Sequence, residues 1–327
     1  MKSSHQNARW VQEREMPGMY GMRLTMRLQR LLGRRFCALL LYPIVAAYYP
    51  FARAARQASQ HYAQHLQHTA QAQGINLPHF SSYCHILHFA RAMLDKLNAW
   101  QGLLHVGRDL LYTPGSRELL DEICDKGQGC LVLTSHLGNI EACRALIEEH
   151  RHIVLNAVVF EHNAQGFAQV MAHYVPKSRL NLIDAATVGP ELAISLADKL
   201  SRGEWLAIAA DRLPPHGAER CLQANFLGAT AAFAQGPFVL AQLFDVPVVQ
   251  LFGCRQGKHI YFSALPLARQ KVTRRSERLA AQQALCQAYC ANLEQMALRY
   301  PYEWFNFFDF WQPVDGGVHA SHRTPSH

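Results

Sequence analysis

A chain of 327 residues, half hydrophobic and 17% charged, can bury the core of one large α/β domain with an accessory segment. That excludes a disordered chain and removes any need for a disulfide or metal staple. Lysine and arginine outnumber aspartate and glutamate by 32 to 24, and the net charge of +8 suits an anionic partner, either nucleic acid or a phospholipid surface.

Residues 1–20 are polar and without apolar period. No uncharged apolar core with a small-residue cleavage site follows the first basic residues, so a signal peptide is not expected. Arg23, Arg27, Arg30 and Arg34 then recur at helical spacing, with Leu24, Leu28 and Leu31 on a different face, which predicts a basic amphipathic helix. Phe36 to Ala52 carries no charge, is interrupted by Pro43 and Pro50, and has arginines on both sides. It reads as lying in the membrane interface; a buried core helix is the alternative. Arg53–Gln73 and Phe80–Trp100 read as two further helices, so residues 1–100 form a tail and a helical membrane-associating region. His61, His65 and His68 share a face of the first of these, but no acidic or cysteine partner lies near them in sequence, and no metal is expected.

After Trp100 strands and helices alternate. Strands are predicted at Cys130–Thr134, Ile153–Phe160, Asn181–Asp184, Trp205–Ala210, Val246–Gly253 and Ile260–Ala264. Helices are predicted from about Gly138 to Glu149, over Ala164–Tyr174 and Glu191–Leu200, from Gly236 to Phe244, and over Arg275–Tyr300. This is an α/β fold with a mixed or largely parallel central sheet flanked by helices, spanning 101–327. The nine cysteines are scattered without a Cys-x-x-Cys pair and read as reduced core thiols, which puts this domain on the cytoplasmic side. The arginines cluster beside leucines rather than on a nucleic-acid-binding module, and no phosphate-cradling glycine motif is present, so nucleic acid is not the expected partner.

The chemistry concentrates where the strand 130–134 ends, in Ser135-His-Leu-Gly-Asn-Ile-Glu141. In open α/β sheets reactive groups gather at the carboxyl edge, and a histidine there can act as a general base near neutral pH. Glu141 in the first turns of the next helix can reach His136 in the loop and fix its tautomer. The competing reading is a capping histidine with Glu141 paired to Arg144. Asp211 ends another strand, on the same edge if the two are parallel. Arg212 can hold a phosphate, or the two can close a loop as an ion pair. Phe226 and Gly228 shape either a cleft wall or a packed turn. The aromatic run Trp304–Trp311 lines an apolar channel, sits at headgroup level or seals the core.

The His136-x4-Glu141 segment resembles the His-x4-Asp/Glu motif of the lysophospholipid acyltransferase superfamily, and its His-x-Gly-Asn-x-Glu form is similar to that of bacterial late-stage lipid A acyltransferases. Asp211-Arg212, Asn225-Phe226-Leu227-Gly228 and Gln235-Gly236-Pro237 look like that family's downstream blocks. Leu94-Asp95-Lys96, Gly236-Pro237-Phe238 and Trp304-Phe305-Asn306-Phe307-Phe308-Asp309-Phe310-Trp311 are similar to a branch found beside aryl polyene gene clusters. The likeness covers about Leu24 to Trp311. It departs from the lipid A enzymes at Arg212, where they tend to carry glutamine, and in lacking a clean N-terminal transmembrane helix.

The resemblance implies an acyltransferase in which His136, oriented by Glu141, deprotonates a hydroxyl or amine that attacks an acyl thioester, with main-chain N–H groups near Gly138 as oxyanion donors. The expected substrate-binding set is Gly138, Asn139, Arg144, Asp211, Arg212, Phe226 and Gly228, without cofactor or metal. The donor would be acyl carrier protein or acyl-CoA, the acceptor a lipid or glycolipid, and the place an anionic membrane surface at the bacterial inner membrane, occupied peripherally or monotopically. The alternative is a non-catalytic lipid-binding or scaffold protein docked through its basic helix.

Overall fold

The computed structural model describes residues 18–140, 153–159, 180–184, 190–214, 220–272 and 274–312. Among the described residues four helices come first: α1 (Gly18–Leu32), α2 (Arg34–Tyr48), α3 (Arg53–Ala72) and α4 (Ser82–Trp100), with a 3-10 turn Tyr49–Phe51 between α2 and α3. The Ser81 hydroxyl caps α4 by accepting the Cys84 N–H at 3.4 Å. Two expectations are corrected here. Pro43 does not interrupt α2, because the carbonyl its missing N–H would have served belongs to Leu39, on the exposed side where water can reach it. Nor do the arginines form one basic face, since the chain breaks at Gly33. Arg34 turns inward to donate to the Leu103 carbonyl at 3.0 Å and to Asp109 at 2.9 Å, while Arg27 and Arg30 stay exposed. The side chain of Arg23 lies outside the description.

The remaining elements among the described residues are β1 (Leu110–Tyr112), α5 (Ser116–Asp125), β2 (Cys130–Thr134), β3 (Leu155–Val159), β4 (Leu180–Asp184), α6 (Pro190–Ser201), β5 (Trp205–Ala209), β6 (Cys221–Phe226), β7 (Ala229–Ala234), α7 (Gln235–Leu243), β8 (Val248–Gln256), β9 (His259–Pro266), a 3-10 turn Arg275–Glu277 and α8 (Arg278–Arg299). The helix expected at Ala164–Tyr174 lies outside the described residues. Seven strands form one sheet in the order β1-β9-β8-β2-β5-β3-β4. Strands β8, β2, β5, β3 and β4 run parallel, and only β8–β9 is antiparallel, so the protein is α/β with a mostly parallel central sheet flanked by helices. A separate hairpin, β6–β7, projects from it.

β2 is buried on both faces, as a central parallel strand must be. Leu131 and Leu133 enter a core shared with α3, α6, α7, α8 and the hairpin, whereas Cys130 and Val132 face a second core built with α5, β1 and β9. α3 contributes Tyr62, Ala63, Leu66 and Ala70 to the first core. No single helix among the described residues is long and apolar enough to cross a membrane; α2 with its 3-10 turn and α3, bent by 97°, together meet a span's length and composition. α2 packs Val45 and Leu41 toward α4 while Phe36, Leu39, Ile44, Tyr48 and Phe51 stay exposed, Phe51 to 85%.

Candidate active site

The register of two parallel strands builds the site. Thr134 of β2 pairs with Ala209 of β5, and each chain runs two residues further along the same edge, to His136 and to Asp211. The imidazole Nδ1 lies 2.8 Å from Asp211 Oδ1, and the His136 backbone N–H donates to Asp211 Oδ2 at 2.8 Å. The carboxylate also accepts from Trp304 Nε1 at 3.1 Å and Asn306 Nδ2 at 3.3 Å. Since an ionised carboxylate only accepts, Nδ1 carries the ring proton and the lone pair resides on Nε2. No described residue hydrogen-bonds Nε2, and a third of the His136 side chain is open to solvent.

Electrostatics favour the base form. Burial of the ring, followed by the positive charge of Arg212, holds His136 below the ordinary histidine range; Asp211 pulls the other way and Lys96 reinforces the lowering. Burial works against a charged Asp211, but His136, its hydrogen bonds and Arg212 outweigh that, and the carboxyl lies below its ordinary value. The pair is therefore neutral imidazole and carboxylate at neutral pH. Arg212, lowered by burial to about 10, remains cationic there.

The segment after His136 departs from expectation. Gly138 does not open a helix: it bridges Gly253 of β8, and Leu137 bridges Trp304. The Gly138 N–H donates to the Glu303 carbonyl and the Asn139 N–H to the Gly253 carbonyl, both at 2.7 Å, while the Leu137 N–H donates to Ser135 Oγ at 3.2 Å. These three amides hold the loop and are engaged within the fold; residues 141–150 lie outside the described residues. Glycine is required on both sides of the contact. A Cβ on Gly138 would lie 2.4 Å from the Gly253 carbonyl oxygen, and one on Gly253 2.6 Å from that of Asn139.

Asn139 is buried and donates to the Ala92 carbonyl at 3.1 Å, so its amide ties the loop to α4. Arg212 donates to Asn306 at 2.7 Å and to the Phe305 carbonyl at 3.0 Å, with its guanidinium 5.7 Å over Phe308. Phe226 is fully buried, 5.0 Å from the Trp304 ring, and so backs the aromatic residue that bonds Asp211. Gly228, at φ +76°, completes the β6–β7 turn against His68 and Thr69 of α3. Glu141 and Arg144 lie outside the described residues. Sequence reasoning overlooked Trp304 and Asn306 as partners of Asp211, although their polar tips within an apolar run were a usable signal. It also left Lys96 without a role.

No protein-family model matches the chain, and no curated protein sequence matches it.

Proposed function

We propose that the protein is an acyltransferase of the lysophospholipid acyltransferase type, moving a fatty or polyenoic chain from an acyl thioester to a hydroxyl or amine of a membrane lipid or glycolipid. The observation that carries this reading is the His136–Asp211 pair, with the imidazole base form favoured and cationic Arg212 and Lys96 nearby. His136 Nε2 takes the proton of the acceptor; the acceptor oxygen or nitrogen bonds to the thioester carbonyl carbon; the carbon–sulfur bond breaks, and the thiolate leaves and is protonated. Asp211 holds the imidazolium that forms in between. The two cations suit a substrate bearing phosphate, as both coenzyme A and phospholipids do.

The exposed apolar side of α2, with Arg27, Arg30, Arg35 and Arg53 exposed around it, supports placing the protein on an anionic bilayer surface. The test is release of free thiol and of acylated lipid when the purified protein meets acyl-CoA or acyl carrier protein with bilayers. His136→Ala should abolish both, and Asp211→Asn should lower the rate roughly 10²- to 10⁴-fold, while vesicle binding is retained. Undiminished product from either variant overturns the reading. No product from the unaltered protein, with vesicle binding intact, would leave a non-catalytic lipid-binding protein, which shares the membrane surface and has no need of the pair.

A further inference from the structure

His61 and His65 lie one turn apart on α3, and their Nε2 atoms approach to 3.3 Å. The other nitrogen of each ring is already committed. His65 Nδ1 is 3.2 Å from the Leu227 carbonyl oxygen, which can only accept, so Nδ1 carries the proton. His61 Nδ1 is 3.1 Å from the Asp309 carboxylate, an ion-pair contact that favours a proton on that nitrogen. Two neutral rings so arranged turn two lone pairs on each other, and that contact is repulsive unless a cation lies between them.

A metal bound at the roughly 2.0–2.1 Å usual for zinc and imidazole, with a tetrahedral angle at the metal, places its two nitrogens about 3.3–3.4 Å apart. The outer contacts also fit, because metal-ligating histidines characteristically donate their second N–H to a carboxylate or a backbone carbonyl. Trp311 stacks on His65 with centroids 3.9 Å apart and fixes the ring's rotation. Asp309 is 248 positions from His61 in sequence, so only the fold reveals the carboxylate.

We propose that His61 and His65 bind a divalent transition metal of the zinc class through Nε2, oriented by Asp309 and the Leu227 carbonyl, fastening α3 to the C-terminal aromatic segment and the β6–β7 turn. Among the described residues no group of three or more histidine, cysteine, aspartate or glutamate side chains could hold a metal, so among them His61 and His65 are the two ligands and further coordination falls to solvent. Both rings are only partly buried. The proposal does not depend on acyl transfer.

The experiment is calorimetric titration of the chelator-stripped full chain with zinc chloride. The expected result is one zinc ion per chain that the His61→Gln/His65→Gln double variant does not bind, and an affinity about 10- to 100-fold weaker in Asp309→Asn. Cobalt in place of zinc should give the absorption bands of a tetrahedral site. Melting temperatures in chelator establish that the variants fold. If the double variant does not, Asp309→Asn, changed at a half-exposed position, decides the matter alone. Zinc uptake that is absent, or unchanged in Asp309→Asn and in a folded double variant, overturns the proposal and leaves a shared proton between the rings.

Discussion

At the scale of single residues, four hydrogen bonds converge on the Asp211 carboxylate, two of them from His136 and two from the aromatic segment. They keep a fully buried charge paired and fix one imidazole tautomer. The consequence is a defined pH dependence. In the proposed acyl transfer the active form has neutral His136, whose pKa lies below the ordinary 6.5, so kcat/KM should rise with pH along a limb below 6.5 and be flat at 7. Arg212→Gln removes a charge that disfavours the imidazolium, and the limb should move to higher pH; a limb that stays in place would show that Arg212 does not act on His136. His136 drew attention in the sequence through its place after a buried strand and the family-like blocks around it, since spacing alone left a capping histidine as the competing reading. The carboxylate on its Nδ1 is Asp211, which the sequence put on the same edge without revealing the register. A parallel pairing between residues 75 apart leaves no local trace.

Among elements, the helices and buried strands were the most legible, since their hydrophobic periods are long. β1 is three residues, β6 carries Gln223 and Asn225 at its exposed positions, and β7 is Ala-Thr-Ala-Ala-Phe-Ala, whose alanines carry little strand signal, so all three escaped notice, as did α5. The loop after β2 was misread for a physical reason: glycine and asparagine before an apolar run look like a helix start, but Gly138 and Gly253 allow a backbone contact that prolongs the strand-like path. α2 carries a prediction at this scale. Leu39→Asp with Ile44→Asp changes exposed positions and should leave the melting temperature nearly unchanged while greatly weakening sedimentation with phosphatidylserine-containing vesicles. Reversing Arg27 and Arg35 to glutamate should weaken it by at least about 1 kcal/mol per residue and flatten its salt dependence. Undiminished binding by both sets would remove α2 from the membrane contact.

For the whole molecule, fully buried His85 joins α4 to the aromatic segment: its Nε2–H donates to the Trp304 carbonyl at 2.9 Å, and Nδ1 lies 2.9 Å from Ser59 Oγ. Burial lowers its pKa to about 3. The unfolded chain takes up this proton below 6.5 and the folded one does not, so this contribution to stability is full above 6.5. It is lost as pH falls toward 3, by about 1.4 kcal/mol per pH unit. Asp211, with its pKa depressed, adds a loss below the ordinary carboxylate value of 3.8. Melting temperature should therefore fall with acidification from 6.5, and His85→Gln should flatten the upper part of that fall; a wild-type curve level to pH 4 would contradict it. The bridge between Leu137 and Trp304, with the Phe305 N–H bonded to the His136 carbonyl, has a temporal meaning as well. Domains fold as the chain emerges, N-terminal parts first. The sheet can assemble while residues beyond 300 are still being made, but the indole and amide that grip Asp211 arrive last. The proposed reactive edge is thus completed only after the sheet that carries it has been made, and a nascent chain holds His136 before it holds the groups that fix its carboxylate partner.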